Sequence, residues 1–159
     1  MKKIIVLISM LLPFGAMATV PELNKIVDDY SSTEGVTVVN LTGEMLKAQA
    51  GAAAADANKY LEDIESLIIL QSDTANLTKK ISKQVDKALK GVNLESLVDI
   101  QAEKDNRVRV FANRDGETIA DIVVYVTDGD EVALIMISGT LDESILGDMQ
   151  SGINGISIG

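Results

Sequence analysis

Most side chains that carry out enzyme chemistry are missing from this sequence. The chain contains no histidine and no cysteine. Ser-His-Asp and Cys-His nucleophile arrangements, conventional zinc sites and most transition-metal sites are therefore excluded. No serine has a lysine three residues later, so the Ser-x-x-Lys spacing of some hydrolases is also missing. We expect a protein that is not an enzyme and that uses no cofactor.

Carboxylates remain as candidate reactive groups. Asp128, Asp130 and Glu131 crowd one short segment, and calcium prefers several oxygen ligands. The further acids and the distal glutamate of a calcium loop are missing, and Asp-Gly is what a tight hairpin turn requires. We interpret the segment as a turn and keep calcium as the alternative. A paired-carboxylate hydrolase is a further alternative, but the chain has no tryptophan on which a sugar or a nucleobase could stack.

Five lysines within twelve positions are the candidate partner-binding residues: Lys79, Lys80, Lys83, Lys87 and Lys90. They fall on a segment with helical periodicity. Lysines suit the solvent-exposed side and the C-terminal end of a helix, and we prefer this interpretation because it needs no ligand. The alternative is that the lysines bind an acidic partner or a lipid phosphate.

The N-terminus has the features of a secretory signal peptide. Lys2 and Lys3 precede an apolar run over residues 4–12, and Ala16-Met17-Ala18 is a small-x-small cleavage site. The run is too short to span a membrane. We expect residues 1–18 to be removed on export, which leaves a periplasmic or secreted protein. Without cysteine, the protein would have no lipid anchor at such a residue.

The mature chain is expected to be strongly acidic. The full chain has a net charge of −10, and loss of Lys2 and Lys3 leaves 12 basic against 24 acidic residues, a net charge of −12. Such a surface repels nucleic acid and anionic membranes. We expect no nucleic-acid partner and no transmembrane helix after cleavage. The expected partner is an unidentified protein or envelope component.

Periodicity and turn residues predict the elements that must position these groups. Tight turns are predicted at residues 113–116 and 128–130. Helices are predicted over residues 20–32, 43–61 (alanine-rich), 73–90 and 143–149, and strands over residues 36–41, 64–71, 97–103, 107–112, 120–126 and 132–138.

The predicted fold is a single α+β domain over residues 19–150, followed by a flexible tail over residues 151–159. Strands joined by helices are expected to pair in parallel, and strands joined by tight turns to pair antiparallel. A mixed six-stranded sheet follows, with two β-α units, then a four-strand antiparallel meander, and helices mainly on one face. The alanine-rich helix and an exposed strand edge make homo-oligomerisation an alternative role.

Five segments together resemble the DUF4252 family of small exported bacterial proteins: Leu67-Ile68-Ile69-Leu70, Leu97-Val98-Asp99-Ile100, Arg107-Val108-Arg109-Val110, Gly116-Glu117-Thr118-Ile119 with the run to Val126, and the run from Ile135 to Asp142. The resemblance implies an exported α+β domain with no assigned reaction, and it supplies no functional residues. Family members often carry a lipid-attachment cysteine, which this chain lacks. We therefore expect a non-enzymatic binding or accessory module of the cell envelope, with a self-associating structural protein or a carboxylate-based hydrolase as alternatives.

Overall fold

A computed structural model describes residues 20–50, 63–103 and 105–144. The helices within these ranges are α1 (Pro21–Tyr30), α2 (Gly43–Ala50) and α3 (Ala75–Gly91). The strands are β1 (Val36–Thr42), β2 (Ile64–Ser72), β3 (Glu95–Glu103), β4 (Asn106–Asp115), β5 (Thr118–Asp128) and β6 (Glu131–Leu141). No helix in these ranges is long and apolar enough to cross a membrane.

The six strands form one sheet in the order β1-β2-β6-β5-β4-β3. The α+β class, the six strands and the meander from β3 to β6 are confirmed. The turns of the last two hairpins contain Gly116 and Gly129, which have positive φ angles of 67° and 58°. Both values lie in the left-handed region, where glycine has no steric penalty.

The prediction of parallel pairing in the β-α units is wrong, because every adjacent pair in the sheet is antiparallel. The connection that contains α2 starts and ends at the same end of the sheet. A Cβ atom on Gly43, the first residue after β1, would lie 2.2 Å from the carbonyl oxygen of Ile64, the first residue of β2. The chain therefore returns beside its starting point, and β2 runs back along β1.

Helix α3 makes the long connection in the sheet. It leads from β2 to β3, which run in the same direction but are separated by β6, β5 and β4. Helix α3 therefore connects two strands that run in the same direction but do not pair with each other. The main core places α1 and α3 against one face, where Leu23, Ile81 and Tyr125 are almost fully buried.

The opposite face, called here the second face, carries an apolar row that crosses the whole sheet. One row of directly paired side chains runs through every strand: Val39, Ile69, Ile135, Val124, Val110 and Val98. None of the residues of α1 and α3 belongs to the smaller buried cluster on this face, which contains Val110 and Ile122. The two principal described helices thus lie together on one side, as expected.

Several predicted features lie outside the described residues. They are the signal peptide, the part of the alanine-rich helix after Ala50, the last helix beyond Ser144 and the tail. The start of that last helix is visible, because the Asp142 carboxylate accepts a hydrogen bond of 2.9 Å from the Ser144 amide, as a helix-capping residue does.

The close backbone approach at Gly139 predicts that a single added methyl group destabilises the protein. A Cβ atom on Gly139 would lie 2.0 Å from the Asp63 carbonyl oxygen, which accepts the Thr140 amide. Gly139→Ala should lower the free energy of unfolding by about 1–3 kcal/mol, because the backbone must shift. Urea denaturation is the measurement.

The matched control is Gly91→Ala, in the last turn of α3, where no atom lies within 4 Å of the added Cβ. This change should leave the free energy of unfolding unchanged or raise it by up to about 1 kcal/mol. Equal stability of the two variants would contradict the close approach at Gly139.

Candidate functional site

The predicted lysine cluster lies on the solvent-exposed side of α3. Ile81 and Val85 are buried beneath the helix, and all five lysines are exposed. Four of them follow one another at intervals of three or four residues: Lys80, Lys83, Lys87 and Lys90. Neighbouring positions are about 4.5–6 Å apart along the helix axis, and the set spans about 15 Å. These four residues are called the lysine stripe.

The lysine stripe carries uncompensated positive charge within the described part of the chain. The ion pairs found there all use arginine, and no described residue pairs with Lys79 or with the stripe. Asp86 is the acid on α3, and its carboxylate binds Arg109 at 2.5 Å. A local positive surface therefore remains on a protein whose net charge is −10.

The C-terminal end of the lysine stripe borders a groove between α3 and β4, called the α3–β4 groove. Its volume is about 330 Å³, and it is lined by Asp86, Leu89, Lys90, Arg107, Arg109 and Phe111. Leu89 and Phe111 give it an apolar part beside the cationic one. An anionic ligand with an aliphatic portion would meet both kinds of contact here.

Arg109 fixes α3 to the sheet. Its guanidinium carbon lies 4.6 Å from the centre of the buried Tyr125 ring, within the range of a cation–π contact. The same group pairs with Asp86 on the helix, and only 16% of the Arg109 side chain is exposed. One side chain of β4 therefore contacts both β5 and α3, which sets the side of the helix that faces solvent.

Arg107 is paired within the sheet. It donates two hydrogen bonds, of 2.8 and 2.7 Å, to the Asp99 carboxylate on β3. These bonds hold the pKa of Asp99 below its usual range and raise the pKa of Arg107. Both side chains are more than one-third exposed, so the pair contributes little to stability. The pairing with Asp99 holds the Arg107 guanidinium beside the α3–β4 groove.

The acidic hairpin turn gives no support to the calcium alternative. Asp128, Asp130 and Glu131 are exposed, and no group of three or more acidic side chains in the described ranges could hold a metal ion. The turn is instead fixed to α3, because the buried Thr78 hydroxyl donates a 2.6 Å hydrogen bond to the Asp130 carbonyl. Asp128 and Glu131 line an open cavity of about 380 Å³.

Asp121 is the one buried acid among the described residues. Its carboxylate accepts hydrogen bonds from the Ser138 hydroxyl at 2.7 Å and from the Asn113 amide at 3.1 Å. It lines neither the α3–β4 groove nor the cavity beside the acidic turn. Both oxygens thus have polar partners, and the arrangement explains Asp121 as a cross-strand link between β4, β5 and β6.

Sequence reasoning identified the lysines but did not select Arg107, Arg109 or Phe111 as site residues. The signal was present, because the alternation in Arg-Val-Arg-Val-Phe places these three side chains on one face of β4. Their proximity to Lys90 depends on the path of α3 across the sheet. The path of α3 can be predicted only when the order of the strands in the sheet is known.

The fold and this surface define a small α+β protein in which a basic helix lies across an antiparallel sheet. The chain belongs to the family described as "Domain of unknown function (DUF4252)", whose sequence model matches residues 30–149. The resemblance found in the sequence is therefore confirmed. No curated protein and no solved structure matches the chain.

The contacts of Arg109 predict a larger effect on stability than those of Arg107. Arg109→Met keeps an aliphatic chain but removes the cation–π contact and the link to Asp86. It should lower the free energy of unfolding by about 1–2 kcal/mol. Arg107→Met is the matched control and should cost less than about 1 kcal/mol, because it removes an exposed pair. Equal losses in chemical denaturation would contradict the anchoring role of Arg109.

Burial of Tyr125 predicts that the stability of the protein depends on pH in the alkaline range. Burial raises its pKa above the usual value near 10, while its hydroxyl donates a long hydrogen bond of 3.4 Å to the Ser82 carbonyl. The folded state therefore holds the phenol proton more tightly than the unfolded state. The resulting contribution of Tyr125 to the free energy of unfolding is complete below pH 10, and it is lost as the pH rises towards the pKa of the folded state.

The unfolding free energy of the native protein should consequently fall more steeply above pH 10 than that of Tyr125→Phe. Urea denaturation at a series of pH values measures both slopes. Parallel slopes for the two proteins would show that ionisation of Tyr125 is not linked to folding.

Proposed function

We propose that the protein is an exported, non-enzymatic binding module that uses the lysine stripe and the α3–β4 groove to hold an acidic segment of a partner protein. The observation that carries the proposal is a row of exposed lysines, without partners among the described residues, on an otherwise acidic protein. The chain offers neither histidine nor cysteine for catalysis.

The spacing of the lysine stripe indicates the form of the partner. Carboxylates on one side of an acidic helix repeat every three or four residues, which gives the same 4.5–6 Å interval along the axis. Ion pairs of this exposed kind are individually small, so affinity would come from several pairs acting together. Leu89 and Phe111 would add an apolar contact at one end of the segment.

Charge complementarity would also speed association. An acidic segment is attracted to the lysine stripe and repelled by the rest of the surface, which favours one orientation of approach. Such binding should weaken as salt is added, because the lysines are exposed and screened beyond about one Debye length. A partner held mainly through the apolar part of the groove would show little dependence on salt.

Charge reversal tests the proposal. The probe is a fluorescently labelled helical peptide with glutamates three and four residues apart, and fluorescence anisotropy gives its Kd. Lys83→Glu with Lys87→Glu should raise the Kd roughly tenfold or more, since attraction is lost and repulsion is added at two positions. The matched control is Lys25→Glu with Lys47→Glu, which changes the net charge equally at exposed positions on α1 and α2.

Equal weakening by both double variants would mean that only net charge matters, and it would refute a defined site. The same comparison of the three proteins with vesicles that contain phosphatidylglycerol tests a second source of negative charge. Binding of vesicles, but not of the peptide, by the native protein would replace the proposed protein partner with an anionic lipid surface.

A further inference from the structure

The two edges of the sheet differ in how they are protected against pairing with another strand. The strand β3 carries Glu95, Asp99 and Glu103, and its register with β4 shifts at two places. Charges and bulges on an edge strand are devices that prevent further pairing. One edge of the sheet is therefore closed to a neighbouring strand by its own sequence.

The strand β1 has none of these devices. Its sequence, Val-Thr-Val-Val-Asn-Leu-Thr, contains no charge, no proline and no glycine, and all seven residues pair with β2 without a register shift. Among the described residues, β1 forms a strand ladder with β2 only. A regular, uncharged strand rich in β-branched residues is a template for another strand.

We propose that β1 pairs antiparallel with β1 of a second copy of this chain, so that two six-stranded sheets join into one twelve-stranded sheet. The inference is independent of the lysine stripe. It commits to a second copy because β1 is self-complementary: antiparallel pairing about a two-fold axis at Val39 places Val39 opposite its counterpart and Val38 of one copy opposite Asn40 of the other. Such an isologous interface closes at two copies and cannot grow into a fibre.

Charge favours this edge over an approach of two copies through their acidic surfaces. Each copy has a net charge of −10, so surfaces rich in acids repel one another, whereas the uncharged β1 edges meet without that cost. Pairing of β1 with β3 of another copy would instead propagate, and the acids and register shifts of β3 oppose it.

The second face supplies an independent reason for the pairing. Its apolar row ends at Val39 on the β1 edge, with Leu41 beside it on the same face, and both side chains are half-buried. In the joined sheet the two rows become continuous, and Val39 packs against its counterpart instead of facing water at the edge. Contact between the two valine side chains removes apolar surface from water, which is stabilising.

A single cysteine tests the proposed register, since the natural chain has none. Directly opposed residues in an antiparallel pair have Cα atoms about 4.5–5.5 Å apart, which is compatible with a disulfide. Val39→Cys should form a disulfide-linked dimer on mild oxidation at low protein concentration. The matched control, Ala102→Cys, lies exposed on the β3 edge and should remain mostly monomeric.

A non-covalent test accompanies the cross-link. Sedimentation velocity should show a dimer that grows with concentration for the native protein. Asn40→Lys, an exposed change that brings a positive charge to each β1 edge, should raise the dimer Kd at least tenfold, whereas Ala102→Lys should leave it unchanged. A protein that stays monomeric at all concentrations, or equal cross-linking of the two cysteine variants, would overturn the proposal.

Discussion

One guanidinium group joins α3 to two strands of the sheet. Arg109 stands on β4, contacts the buried ring of Tyr125 on β5 and binds Asp86 on the helix. Because Ile81 and Val85 point down into the core from the same helix, its opposite side must face solvent. The lysine stripe is therefore presented outward by the burial of α3 and by this anchor together, and the α3–β4 groove lies where helix and anchor meet.

The sheet provides the rigid base for this arrangement. Close backbone approaches at Gly43 and Gly139 bring β1, β2 and β6 together at the start of β2. The Thr78 hydroxyl fixes the β5–β6 turn to the first part of α3, while Gln84 on α3 donates a 2.9 Å hydrogen bond to the Tyr30 hydroxyl on α1. The helix is thus held at its beginning, middle and later turns, so its exposed side is well defined relative to the groove.

Local sequence patterns were sufficient to predict the helices and strands and the exposed position of the lysines. Alternation of apolar and polar residues identified the strands of the meander, and the continuously apolar β6 lies in the interior of the sheet, between β2 and β5. Helical spacing placed Lys83 and Lys87 on the solvent side of α3. Such features depend on residues close in the chain, and short-range sequence carries that information.

The pairing of strands that are distant in the sequence could not be predicted from such local patterns. The rule that a helix joins parallel neighbours failed at β1 and β2. It assumes a crossover along the strands, whereas the chain leaves the sheet at Gly43 and enters it again beside Gly43, at Ile64. The groove was missed for the same reason. Arg107 and Lys90 line the same groove only because α3 crosses the sheet to reach β3 at the far edge, which no local pattern specifies.

The central claim is that an acidic segment binds along α3 and beside β4. Amide chemical-shift mapping by NMR, with the glutamate-bearing helical peptide titrated into the purified protein, tests it most directly. The account predicts saturable shifts that concentrate on α3 and on residues 107–111 of β4, with little change along α1 and β1. Shifts centred elsewhere, or a spectrum unchanged at high peptide concentration, would contradict it.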